Sequence, residues 1–203
     1  MLHLDHIAVS GLSRDIGRAH VQDHLHVEMA TGGEHPFFGT HNHLMSLSDG
    51  LYLEAIAIDP AAPALDHARW FGLDHFSGPP RLTNWICQTK DLETLVRDLP
   101  EAGRIVELER GNLRWRMSVP QHGMLSYDGC FPALIEWDCA DHPGRMLPET
   151  GCTLDALTIF HPEVDRLQQR LAPYLDDARV RFEHGSPHLV ASIETPQGSV
   201  ALR

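Results

Sequence analysis

A chain of 203 residues with 42% hydrophobic and 22% charged content has an ordinary globular make-up, long enough for one large domain or two intimately packed small ones. Its formal charge of −12 excludes the phosphate-neutralising surface that nucleic acid or an anionic membrane demands, and no apolar run is long enough to span a bilayer. The first residues read as a strand rather than a secretory leader, and four cysteines without a Cys-x-x-Cys pair read as reduced thiols, so the expectation is a cytoplasmic protein.

In chain order, residues 2–10 read as a strand containing Leu4-Asp5-His6-Ile7-Ala8-Val9. Ser13 can cap a helix over residues 14–25, with Ile16, Ala19 and Leu25 in its buried stripe. A second strand starts at residues 28–31 and breaks at Gly32-Gly33. Residues 40–47 and 51–58 form two strands joined at Asp49-Gly50, a two-residue hairpin signal. Residues 60–80 carry four prolines and read as a linker.

A second unit starts at residue 81, where Leu82-Thr83-Asn84-Trp85-Ile86-Cys87 repeats the character of the first strand. Asp91 caps a helix with Leu92, Leu95, Val96 and Leu99 on one face, ending near Pro100 and Gly103. Strands follow around residues 105–109, 113–119 and 133–138. Residues 139–152 form a second linker. The third unit has a strand at 154–160, beginning Leu154-Asp155-Ala156, then Pro162 opening a helix with Val164, Leu167 and Leu171 at helical spacing. Leu189, Ala191 and Ile193 alternate as in a strand, and Pro196-Gln197-Gly198 turns the chain into a last one. The reading is three βαβββ modules, 1–59, 81–138 and a degenerate 153–203. The fold class is α+β, a mostly antiparallel sheet with helices on one face.

The element order and several motifs resemble the glyoxalase-like branch of the vicinal oxygen chelate superfamily. The motifs are Leu4-Asp5-His6-Ile7, Gly32-Gly33-Glu34-His35-Pro36, Gly39-Thr40-His41-Asn42, Tyr52-Leu53-Glu54, Pro132-Ala133-Leu134-Ile135-Glu136-Trp137 and His142-Pro143. The resemblance covers nearly the whole chain. It implies paired modules curled into a cup that takes a small molecule, metal ligands on the first and last strand of each module, and room for a homodimer.

If Asp49-Gly50 is the loop, Met45 opposes Glu54, and His41, His43, Met45, Tyr52 and Glu54 share one sheet face. If the first and last strands are neighbours, as the resemblance implies, His6 lies beside Glu54. Imidazole nitrogen and carboxylate oxygen suit a divalent metal such as Zn, Ni, Fe or Mn. Glu136 holds the place in module two that Glu54 holds in module one, so one carboxylate can ligate while the other acts as catalytic base. Trp85 stands where His6 stands, leaving His6, Glu54 and Glu136 as the metal candidates. His6 also reads as a hydrogen-bonded core histidine, and Glu54 as an edge carboxylate facing water.

His35, Phe37 and Phe38 are candidate substrate contacts at the cup mouth, with His41 and Trp85. Arg114 shares a strand face with Arg116; the pair reads as a carboxylate or phosphate clamp, or as a solvated edge pairing with Glu107 or Glu109. No nucleophile elbow is present. Two functions stay open. One is a metal-dependent glyoxalase-like enzyme, of lyase, isomerase or dioxygenase class, acting on a small oxygen-rich molecule through an enolate. The other is a metal-free protein that sequesters an apolar or aromatic ligand in the same cup.

Overall fold

The computed structural model describes residues 1–203. Module one comprises β1 (His3–Ser10), α1 (Arg14–Leu25), β2 (Ala30–His35), β3 (Thr40–Ser46) and β4 (Tyr52–Ile58). Module two comprises β5 (Arg81–Gln88), α2 (Leu92–Asp98), β6 (Arg104–Arg110), β7 (Leu113–Val119) and β8 (Ala133–Trp137). A four-residue helix, α3 (Pro143–Met146), lies in the second linker. The third unit comprises β9 (Thr153–Phe160), α4 (Val164–Leu171), β10 (Val180–Glu183), β11 (His188–Thr195) and β12 (Gly198–Leu202). No helix is long and apolar enough to cross a membrane.

Modules one and two share one eight-stranded sheet in the order β2-β3-β4-β1-β5-β8-β7-β6. Each module pairs its first strand in parallel with its last, β1 with β4 and β5 with β8. The modules join by antiparallel pairing of β1 with β5. The third unit keeps the βαβββ element order but not that pairing. Its first strand, β9, pairs in parallel with β10, the strand directly after the helix, in the separate order β10-β9-β11-β12. Its strand pairing therefore differs from that of the other two. β10 alternates as Val180-Arg181-Phe182-Glu183, but four residues are too short a run to announce a strand in sequence.

Two helix caps form as their sequences dictate. Ser13 Oγ accepts the Ile16 amide at 3.2 Å, and Asp91 Oδ1 accepts the Thr94 amide at 3.1 Å. The buried stripe of α1 is Gly17, Val21 and Leu25, while Ile16 and Ala19 are exposed. Gly17 packs the helix on β4, and a Cβ there would reach Ala55 at 3.5 Å, an ordinary contact. Ala55 faces opposite to Glu54, so α1 covers the convex face of the sheet. The same face carries α2, whose first amide, Leu92 N–H, donates to Glu136 at 2.8 Å. The third unit packs there too, with Trp85 fully buried 6.5 Å, ring to ring, from Phe182. The concave face receives the first linker: Trp70 Nε1–H donates to Thr40 Oγ1 at 3.2 Å, and Trp70 and Phe71 are both buried. Sheet, helices and linker share one cluster of 48 buried apolar residues.

Candidate functional site

The concave face is set by strand register, and the β3–β4 register differs from the two-residue hairpin expected from Asp49-Gly50. Leu47 N–H donates to Leu51 at 2.9 Å, closing a three-residue loop in which Ser48, Asp49 and Gly50 all take positive φ. Leu44, not Met45, opposes Glu54. A one-residue slip moves every side chain to the other face. His41 and His43 therefore turn to the convex face: His41 Nδ1 lies 3.9 Å from Asp59, just after β4, and His43 Nε2 3.8 Å from Asp15 of α1. His41 is no cup residue. Asn42 takes its place, and the sequence alone did not single it out.

His6 and Tyr52 pair across β1 and β4, as do Ala8 and Glu54, so His6, Tyr52 and Glu54 share the concave face. His6 Nε2 stands 3.7 Å from Glu54 Oε1, with both side chains about 5% exposed. Glu54 Oε2 accepts from Asn42 Nδ2 at 2.7 Å, and Asn42 Oδ1 accepts the Gly33 amide at 2.9 Å. Tyr52 stacks on His6 with centroids 4.3 Å apart. Burial, then the Asp5 and Glu54 charges, raise its phenol well above the usual range, so it keeps its proton.

Asp5, also missed in the sequence, anchors the site. The β1–β5 register shifts between Leu4 and His6, a bulge that brings Asp5 to the side on which His6 lies. Fully buried, Asp5 accepts from His6 Nδ1 at 2.6 Å, Trp137 Nε1 at 3.0 Å and His142 Nε2 at 3.0 Å. His142 Nδ1 accepts the Gly144 amide, which leaves its proton on Nε2 for Asp5. Burial pushes the Asp5 carboxyl up, but hydrogen bonds from His142 and His6 outweigh it and hold the group well below the carboxylate range. An ionised Asp5 fixes the His6 proton on Nδ1 and leaves Nε2 directed at the cup.

His35 contributes to the cup as expected. Its Nδ1 lies 3.1 Å from Thr40 Oγ1, and its Nε2 accepts from Arg110 at 3.1 Å. Burial, then the Arg110 charge, push its pKa down to about 3, so it is neutral. Arg110, at the end of β6, crosses to the opposite sheet edge over Gly33, where a Cβ would lie 2.6 Å from Arg110 Cδ. It is the only cationic arginine or lysine lining the cup and has no carboxylate within ion-pair distance. Phe38 is buried against Trp70 at 4.5 Å, and Phe37 is 44% exposed beside His67, outside the lining.

Besides Phe37 and the buried Phe38, neither of which lines the cup, four expected residues lie elsewhere: Glu136, Trp85, Arg114 and His41. Glu136 pairs with Arg116 across β8 and β7 on the convex face, with an ion pair of 3.0 Å. The matching Leu-Ile-Glu string misled because Ile135, not Glu136, faces the cup. Trp85 points into the convex core, its Nε1–H donating to Cys130 at 2.9 Å. Arg114 shares the face of Arg116 and is exposed. With His41 also turned away, His6 and Glu54 remain of the proposed chelating and catalytic set. No group of three or more His, Cys, Asp or Glu side chains converges in a geometry able to hold a metal.

The cup thus joins a polar wall from module one to an apolar wall of Trp115, Met117, Ile135 and Trp137 from module two. Its free space is about 30 Å³. The arrangement can orient a carbonyl compound and accept a proton from it.

A family model described as a glyoxalase-like domain matches residues 4–175. A hypothetical protein from Staphylococcus aureus shares the fold at TM-score 0.66 and 14% identity, over 98% of this chain and 93% of that one. Methylmalonyl-CoA epimerase from Mycobacterium tuberculosis gives TM-score 0.44 and 17% identity, over 68% of this chain and 88% of that one. A hypothetical protein from Bacillus halodurans C-125 gives TM-score 0.44 and 12% identity, over 70% and 96%. No curated protein matches the sequence.

Proposed function

Because the chain belongs to the glyoxalase-like domain family, within the vicinal oxygen chelate superfamily, we propose that its cup is an enzyme site for proton abstraction beside a carbonyl group. The part of the substrate that enters it is a small, oxygen-rich anionic group, a carbonyl beside a carboxylate. The observation that carries this reading is the buried Asp5–His6–Glu54 cluster: a histidine with one nitrogen held by a carboxylate, the other free, and a second carboxylate 3.7 Å from it.

In this mechanism His6 Nε2 accepts the proton on the carbon next to the carbonyl. The C–H electron pair moves into an enolate. Asp5 and Glu54 stabilise the imidazolium that forms, as acid–base sites commonly arrange. Arg110 binds a carboxylate of the substrate and offsets its charge. The proton then returns to carbon or to the enolate oxygen. A catalytic zinc-type site uses three protein ligands. With His35 Nε2 accepting from Arg110, only His6 and Glu54 offer such donors here, so the expected Zn, Ni, Fe or Mn finds no fitting donor set, and no step is assigned to it. Four free thiols suit a reducing, cytoplasmic setting.

The second reading, a metal-free sequestering protein, draws on the aromatic lining of Trp70, Phe71, Trp115 and Trp137. One experiment separates the two. The protein is incubated with pyruvate or 2-oxobutyrate in D2O, with loss of the C3 proton signal followed by NMR and binding by calorimetry. Catalysed exchange that falls roughly 10²- to 10⁴-fold in His6→Gln supports the enzyme. Binding without exchange supports sequestration. In the same assay Arg110→Ala should weaken half-saturation roughly 10- to 100-fold, since a charge-assisted contact contributes about 1.5–3 kcal/mol.

Glu136→Gln gives the opposite profile. It keeps the Leu92 amide bond but loses the ion pair with Arg116, so it should lower stability by about 1 kcal/mol in a melting curve and leave exchange unchanged. A loss of exchange with native stability would return Glu136 to the site.

A further inference from the structure

The cup is far smaller than an ordinary small-molecule site. Its free space is about 30 Å³, against roughly 300–1,000 Å³ for typical ligand pockets. A second cleft of about 280 Å³ lies beyond Phe71, between the first linker, β5, the loop before β8 and the third unit. Phe71 lines both spaces and forms part of the wall between them.

That wall is strained. Phe71 has φ 59° and ψ 16°, followed by Gly72 at φ 65° and ψ 20°. A bulky aromatic residue in the left-handed region is an outlier that persists only when its surroundings enforce it. Here the ring stacks on Trp70, with centroids 5.0 Å apart and planes at 12°. The glycine after it supplies the freedom to swing the segment.

Beyond the wall, Asn84 pairs with Ala8 and so faces the same side of the sheet as His6. It is 2% exposed, lines the cleft, and its Oδ1 has no hydrogen-bond partner. A buried amide oxygen without a partner is costly and calls for a donor. Leu125 and Leu189 supply apolar walls nearby. At the rim the Arg81 guanidinium donates only to the Ser77 and Pro79 carbonyls and lies 4.5 Å over the Phe76 ring.

We propose that the two spaces are one ligand site: the reacting end of a long-chain 2-oxo acid sits at His6, Glu54 and Arg110, and its chain passes a displaced Phe71 to end in a hydroxyl donated to Asn84 Oδ1. The proposal rests on the proton-abstraction reading for its head group and on the cleft for its tail. Joined, the spaces approach the usual volume of a ligand pocket. The sheet face common to His6 and Asn84 gives the chain a continuous floor.

Calorimetry and D2O exchange with linear 2-oxo acids from pyruvate to 2-oxodecanoate, and with 10-hydroxy-2-oxodecanoate, test it. Binding should tighten about fourfold for each methylene that leaves water. Met124→Trp, at an exposed position on the cleft rim, should abolish that gain. Asn84→Leu should remove the preference for the terminal hydroxyl over the plain chain. Phe71→Gly, which deletes both ring and strain, should speed association of the longer acids at least tenfold. Affinity independent of chain length in wild type and in Phe71→Gly alike overturns the proposal, even if pyruvate exchanges. Length-dependent binding that Met124→Trp abolishes, with no exchange of any acid, sustains the two-space site and overturns proton abstraction instead.

Discussion

Asp5→Asn should cost both stability and chemistry. The substitution preserves shape but replaces one acceptor oxygen with an amino group. Asp5 serves three donors, His6 Nδ1, Trp137 Nε1 and His142 Nε2, from β1, β8 and the cap of α3. With the amino group toward Trp137 and His142, two buried N–H groups face another donor; toward His6, the imidazole must give up its Nδ1 proton. Stranding a buried donor costs about 1–3 kcal/mol. At this chain length that lowers the melting temperature by roughly 2–4 °C per kcal/mol. If the amino group faces His6, the imidazole is driven to the other tautomer, with its proton on Nε2 and no lone pair directed at the cup. Pyruvate exchange should then fall by a factor on the order of 10²–10⁴. Nitrogen-15 NMR of the His6 ring reads the tautomer directly. Full exchange activity with Nδ1 still protonated would remove Asp5 from the mechanism.

The second large effect is on acid stability. His35 has a pKa near 3 in the fold against 6.5 ordinarily. Above pH 6.5 both folded and unfolded states carry it neutral, and its contribution to stability is fully present. Between pH 6.5 and 3 the unfolded chain takes up a proton that the folded one does not, so stability falls as pH falls. The loss over that window is several kcal/mol, on the scale of about 1.4 kcal/mol per pH unit. Asp5, held below its ordinary value of 3.8, extends the loss further into acid as the unfolded carboxylate protonates. Urea melts from pH 8 to pH 4 should show the decline, and His35→Gln should flatten it. An equally steep decline in the variant would assign the acid sensitivity elsewhere.

Much of the fold was written in local chemistry. Caps at Ser13 and Asp91, the alternation of β1 and β5 and the proline-rich linkers located the first two modules and their α+β arrangement. His6 and Glu54 were legible as unusual polar residues in apolar strands, and His35 as a candidate contact in a glycine-rich turn at the cup mouth. What escaped depended on parity. Ser48 and Asp49 take left-handed conformations without being glycines, and that one added loop residue exchanged His41 for Asn42 in the cup. Glu136 matched Glu54 by string, but face is decided by pairing, and β8 pairs so that Ile135 and Trp137 look inward. Asp5 reached the site through a bulge that no residue in Leu-Asp-His-Ile advertises. Arg110 was hidden for another reason: it acts across the two edges of a curled sheet, 75 residues from the histidine it meets.

The cup's two walls differ in what they can do with a proton. Module one presents His6 and Glu54; module two presents Trp115, Met117, Ile135, Trp137 and the permanently charged Arg110. A planar enolate lying between them has a group able to return its proton on one side only. On the reading above, hydrogen removed from one enantiotopic face comes back to that same face. The product of exchange at a prochiral carbon should therefore be optically pure, and inversion of a stereocentre, which needs a proton donor on each side, lies outside the reach of this cup.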